Sequence, residues 1–132
     1  MTKTEFIDRW IGTPWQDRAI GPNTIDCWGL VYVYYRDVLG IELSKPCDHI
    51  DIIDGFTNEV VNGDWIETDF AEDGIMFTAF QGELARHCGV VVSPTMVIHS
   101  YGCNEREGAV SINNIRVIEQ KFGKVRFFKR VK

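Results

Sequence analysis

Three side chains in this sequence have the types and spacing for nucleophilic chemistry: Cys27 in "DCWGLV", His87 in "HCGVVV" and His99 in "MVIHS". A thiol attacks a carbonyl carbon well only as its thiolate, and a helix N-terminus favours that anion through its partial positive charge and unpaired N–H groups. Cys27 follows Asp26, an N-cap residue type, and precedes the apolar run "WGLVYVYY", so it takes the first position of a predicted helix. The same N–H groups can receive the oxyanion of a tetrahedral intermediate. A base must come from elsewhere in the chain.

The candidates are His49, His87 and His99. A hairpin turning about Ser93 and Pro94 sets His87 and His99 nearly opposite each other on neighbouring strands. Both then point to one face, because equal steps from the turn preserve side-chain alternation. One imidazole beside a thiolate, with a second group orienting it, is the arrangement that cysteine nucleophiles use. His49 lies in an acidic stretch and fits neither role. Spacing alone leaves another reading open: a cysteine in an apolar helix is often a packed core residue, and strand histidines can be partly exposed polar groups. Cys88 falls on the strand face opposite His87 and reads as core, while Cys47 and Cys103 read as free loop thiols.

The elements that must position these residues can be read in outline. "TEFIDRWIG" carries Phe6, Ile7 and Trp10 at helical spacing and ends at Gly12. "TPWQDRAIGPN" is a loop of turn formers. The second helix runs from the Asp26 cap to a stop at Gly40, and being apolar nearly all round it is predicted to be buried as the central helix. From Ser44 to Asp73 the chain turns acidic and loses a clear period, which predicts a surface excursion with room for one helix ending at Gly63. The runs "GIMFTAF", "HCGVVVS", "TMVIHSYG", "AVSINNI" and "KVRFFKRV" then read as strands. Helices followed by strands predict an α+β domain with an antiparallel sheet.

Composition narrows the function classes. A chain of 132 residues is one domain. A net charge of -5 and a pI near 5.1 argue against a nucleic-acid partner, which needs a clustered basic face. The basic cluster "KVRFFKR" alternates with apolar residues and reads as an exposed edge strand. The N-terminus has no apolar stretch of signal-peptide length, and no apolar run is long enough for membrane insertion, so synthesis in the cytosol is expected. The four cysteines show no CxxC spacing and are expected to be reduced. Cysteines and histidines also lack the short spacings of a zinc site, so no metal is expected.

In order and spacing, "GTPW", "DCWGLV", "EDGIMF", "HCGVVV" and "MVIHS" resemble the NlpC-type cysteine peptidases of the papain-like class, which act on bacterial cell-wall peptides. The resemblance runs from Trp10 to the C-terminus. It implies a single peptidase domain over residues 1–132, with the nucleophile at the start of a central helix packed on an antiparallel β-sheet. It assigns Cys27 as nucleophile, His87 as base and His99 as the group orienting that base, with no metal or organic cofactor. Asp26 and Trp28, which flank the nucleophile in sequence, and Trp15, at the place where the family's tyrosine lies near it, become the candidate substrate-contacting residues.

"WIGTPW", "DCWGLV" and "VRFFKR" are most similar to the branch associated with tails of long-tailed phages. That likeness implies a protein made in the bacterial cytoplasm and carried in the virion tail, with tail-tip proteins as partners. It would cleave peptidoglycan peptides of the host wall during tail assembly or DNA entry. Two alternatives keep the fold: a tail-tip structural protein that docks with little or no catalysis, and acyl transfer or deamidation by the same three residues. The sequence departs from the family pattern at Trp15, where tyrosine is usual, at Trp28, where a small residue is usual, and at Arg18 and Ala19, where a glycine pair is usual.

Overall fold

Thr2 opens the first helix with a reciprocal cap: its hydroxyl accepts the Glu5 N–H, and the Glu5 carboxylate accepts the Thr2 N–H. Helix α1 (Lys3–Trp10) turns Phe6 and Trp10 into the core, as the helical spacing predicts. In this computed structural model residues 1–43, 56, 59–60, 63, 65–102 and 108–131 are described. The second helix, α2 (Cys27–Tyr34), begins where Asp26 accepts the Gly29 N–H at 2.6 Å. It passes into a π-helical turn over Tyr35–Leu39 and stops at Gly40, whose φ of 68° suits a residue without a side chain. Every side chain from Trp28 to Tyr35 is buried. Complete burial of each large one contributes roughly 1.5–3 kcal/mol, so α2 is held by packing on all sides.

Six strands follow: β1 (Trp65–Thr68), β2 (Met76–Gln81), β3 (Leu84–Val91), β4 (Met96–Ser100), β5 (Val110–Asn114) and β6 (Lys124–Arg130), with helix α3 (Ile115–Phe122) between the last two. They form one sheet in the order β1-β6-β2-β3-β4-β5, antiparallel throughout. Alternation divides its two faces. Met76, Cys88, Val90 and Ile98 pack with α1 and α2, whereas Phe77, Val91 and Val97 pack with Ile118 of α3. The result is a sheet between two helical layers, the α+β architecture expected.

Some expectations are corrected. β6 is not an edge strand: β1 and β2 flank it, because Trp65–Thr68 of the acidic stretch supplies an outer strand that its sequence does not signal. The basic side chains of β6 are accordingly used inside the sheet's surface, Arg126 donating from Nε to Glu67 at 2.9 Å and lying over the Phe80 ring. The segment between "AVSINNI" and "KVRFFKRV", for which the sequence predicts no element, forms most of helix α3; Asn114 caps it by accepting the Arg116 N–H, and Gly123 ends it. His49, Cys47, Cys103 and most of the proposed helix ending at Gly63 lie outside the described residues.

The ladder between β3 and β4 pairs Val90 with Ile98 and Val91 with Val97. Past that point the diverging strand ends frame the start of α2. The Ser100 hydroxyl donates to the Ile25 carbonyl at 2.6 Å, which ties the end of β4 to the residue before Asp26.

Candidate active site

Cys27 is the first residue of α2 and its thiol is partly exposed. The N-cap leaves its surroundings well defined. Asp26 donates its own N–H to the Ala19 carbonyl, and its two carboxylate oxygens accept from Gly29 N–H at 2.6 Å and Arg18 N–H at 2.9 Å. The Leu30 N–H reaches the Asp26 carbonyl. Among the described residues nothing accepts from the N–H groups of Cys27 and Trp28, so the first turn keeps two donors beside the sulfur. Gly29 has a packing reason: a Cβ there would stand 2.3 Å from the Ala19 carbonyl oxygen, and the loop before Asp26 could not close over the helix start.

His87 and His99 share the sheet face that α3 covers. Extending the β3–β4 ladder by one step sets His99 beside Gly89, so His87 is its diagonal neighbour rather than its opposite. Gly89 makes the approach possible, since a Cβ there would lie 3.0 Å from the His99 Cβ and 2.6 Å from the Phe77 ring. The rings meet at 2.8 Å between His87 Nε2 and His99 Nδ1. His99 Nε2 in turn lies 2.7 Å from Asn113 Oδ1 on β5, and that oxygen also accepts from the Ser111 hydroxyl at 3.0 Å.

These contacts settle the proton positions. Asn113 Oδ1 is an acceptor, so His99 carries its proton on Nε2 and offers a lone pair at Nδ1. His87 must then donate from Nε2, which leaves its Nδ1 as the basic nitrogen. Phe122 of α3 stacks on the His87 ring at 4.1 Å between centroids and 19° between planes, fixing the ring's plane. Burial, the neighbouring His99 and Lys121 hold His87 well below the usual imidazole range. Burial also lowers His99, against the Asn113 hydrogen bond. The resting pair is therefore neutral at neutral pH.

Cys27, His87 and Asp26 line one cavity of about 400 Å³, together with Trp15, Arg86 and Lys121. Trp15 is half-buried, its backbone N–H donating to the Gly108 carbonyl and its side chain lying over Gly102, so the ring forms a wall of the cleft. Asp26 borders the cavity with both carboxylate oxygens already engaged by backbone N–H groups, which makes it a support for the helix start. Trp28 is different from the expectation of a substrate contact: it is 1% exposed and packs in the α1–α2 core, because its position on the helix turns inward. It does not narrow the cleft. Cys88 is fully buried beside Cys27, and burial followed by the hydrogen bond to Cys27 pushes its thiol well up. Asn113 and Phe122 were not foreseen; Asn113 lies on β5 two residues from Ser111, a strand neighbour of His99 that register would have revealed.

A sequence profile, that of the NlpC/P60 family, matches residues 12–128. The chain belongs to the NlpC/P60 family. Comparison with curated proteins gave no match. Among solved structures, the crystal structure of the NlpC/p60 domain of the peptidoglycan hydrolase SagA is similar, with a TM-score of 0.65 and 18% sequence identity over 93% of this chain and 92% of that one. At that identity the likeness speaks for the fold: the NlpC/P60 sheet and central helix are kept while most side chains have changed. No group of His, Cys, Asp or Glu among the described residues is arranged to hold a metal ion, and no described helix is long and apolar enough to cross a membrane.

Proposed function

We propose that this NlpC/P60 domain is a cysteine peptidase that hydrolyses an amide bond in peptidoglycan stem peptides, with Cys27 as nucleophile, His87 as base and acid, and His99 as the group that orients His87. The observation that carries the reading is the hydrogen-bonded series Asn113–His99–His87, which leaves the basic Nδ1 of His87 on a residue lining the same cavity as Cys27.

In this mechanism the neutral imidazole of His87 takes the thiol proton at Nδ1, and the thiolate attacks the amide carbonyl carbon. The unused N–H groups of Cys27 and Trp28 face the position where negative charge develops on oxygen. The imidazolium, stabilised by donation from Nε2 to His99, then protonates the leaving amine as the C–N bond breaks. Water enters, gives a proton to His87 Nδ1 and its hydroxide to the thioester carbon; the C–S bond then breaks, releasing the carboxylic acid and a Cys27 thiolate, which takes the proton back from His87. Every step is supplied by groups of this chain.

The phage-tail assignment, with synthesis in the bacterial cytoplasm, carriage in the virion tail and action at the host wall beside tail-tip proteins, belongs to the same proposal. It is supported by the motifs "WIGTPW" and "VRFFKR". Incubating the protein with peptidoglycan fragments of several wall types and resolving products by mass spectrometry tests the activity. Cleaved stem peptides are expected. A folded protein that leaves every fragment intact would move the reading to a docking role for the same fold.

A further inference from the structure

Two cations open onto the cleft with no counter-ion among the described residues. Arg86 is the extra residue of a β-bulge: β2 pairs Ala79 with His87 and Phe80 with Ala85, so Arg86 has no partner and is re-aimed beside the histidine. Lys121 sits in the last turn of α3, its ammonium 4.2 Å from the centre of the Tyr101 ring, which holds the charge in place. Both line the cavity that contains Cys27 and His87. Among the described residues neither forms an ion pair, whereas Lys3, Arg36 and Arg126 each reach a carboxylate.

The acids of the cavity are on another wall and are partly spent. Asp26 is occupied by backbone N–H groups, and Asp17 lies 4.0 Å from Arg18. The wall made by β3 and α3 is thus the one that receives an anion, with a forked donor and a point charge together. We infer that Arg86 and Lys121 anchor a carboxylate of the peptide substrate on a residue flanking the bond cut at Cys27, so that the site selects stems whose carboxyl group there is free over stems in which it is amidated. This deepens the peptidase reading and rests on it. The charge of Lys121 disfavours protonation of both His87 and His99, and a carboxylate seated on it offsets that effect during proton uptake by His87.

The test uses a matched pair of synthetic stem peptides that differ by one carboxylate or carboxamide beside the scissile bond. Turnover is measured with the wild type, Arg86→Gln and Lys121→Gln, and binding by calorimetry with Cys27→Ala and its double variants. The wild type is expected to favour the carboxylate peptide about tenfold or more in kcat/KM. Either substitution should remove most of that preference, chiefly by raising KM for the carboxylate peptide. Cys27→Ala should bind the carboxylate peptide more tightly, with a preference that weakens in salt and disappears on adding Arg86→Gln or Lys121→Gln. Equal turnover of both peptides, or equal or absent binding of both to Cys27→Ala, would overturn the anchor. Preferential binding without turnover by the wild type would uphold the anchor and count against the peptidase reading instead.

Discussion

His87 donates from Nε2 to His99 Nδ1 across 2.8 Å, and the direction of that bond is set from the far side, where His99 Nε2 donates to Asn113 Oδ1 at 2.7 Å. The basic nitrogen of His87 is thereby decided two residues away, on a different strand.

Asn113 is accordingly expected to act as a positioning residue. Asn113→Leu should lower kcat by about 10- to 100-fold, the range typical of lost outer partners of functional histidines, with KM little changed. Asn113→Asp keeps an acceptor at the same place and should recover much of the rate. Its added negative charge favours the imidazolium, so the acid limb of the rate profile should move to higher pH. Nitrogen-15 spectra should show both histidines protonated at Nε2 in the wild type and a mixture of tautomers in Asn113→Leu.

The pH dependence follows from the lowered histidines. Because burial holds His87 below 6.5, it remains an unprotonated base at acidities where a free imidazole is charged. The acid limb of kcat/KM is expected below pH 6.5, and a limb centred above it would count against His87 as the base. Stability follows the same sign. As pH falls through 6.5 the unfolded chain takes up protons that the buried rings of His87 and His99 refuse, so stability should decline from there down towards their folded values. Urea midpoints across this range measure it.

Thiol chemistry should separate the cysteines. Cys27 is partly exposed at a helix start, whereas Cys88 is fully buried with its thiol pushed up by that burial. Iodoacetamide at neutral pH, followed by peptide mapping, should label Cys27 first, ahead of Cys88, Cys47 and Cys103. Uniform labelling of all four would remove the argument for an activated thiol.

The fold's hold on the nucleophile can be tested at Asp26 and Gly89. Asp26→Ala removes two backbone hydrogen bonds and should cost about 0.5–2 kcal/mol for the lost cap. Gly89→Ala forces a Cβ to within 2.4 Å of the Ile98 carbonyl oxygen and should cost about 1–3 kcal/mol. Chemical denaturation gives both values. The Gly89 variant should also lose activity beyond its loss of stability, because the crowding reaches His99.

Local signals carried much of this arrangement in the sequence. Asp26 and Gly40 bracket α2 because capping and left-handed stops are properties of single residues. The shared face of His87 and His99 follows from strand alternation, because the observed register, with Val90 facing Ile98, differs from direct opposition of the two histidines by two residues, an even step. What escaped notice depends on distant pairing. β6 looks like an edge because the strand that covers it, β1, lies in an acidic stretch without alternation. α3 falls almost wholly in the gap between the runs "AVSINNI" and "KVRFFKRV", where no element is predicted because Ile115, Val117 and Ile118 are β-branched, although Asn114 and Gly123 bracket it as a helix. Asn113 is placed in a strand run, but its approach to His99 shows only when β5 is set against β4, and Trp28 reads as a substrate contact from its place beside Cys27, although the burial predicted for the central helix turns it into the core.

The central claim is that Cys27 carries the acyl group of the substrate between two steps of the reaction. Quenching the wild type with acid during turnover of a peptidoglycan fragment, then mapping its peptides by mass spectrometry, observes that bond directly. The expected result is a mass increase equal to the acyl half of the fragment, confined to the peptide containing Cys27 and absent from Cys27→Ala, which should also release no product. Undiminished product formation by a folded Cys27→Ala protein would contradict the account.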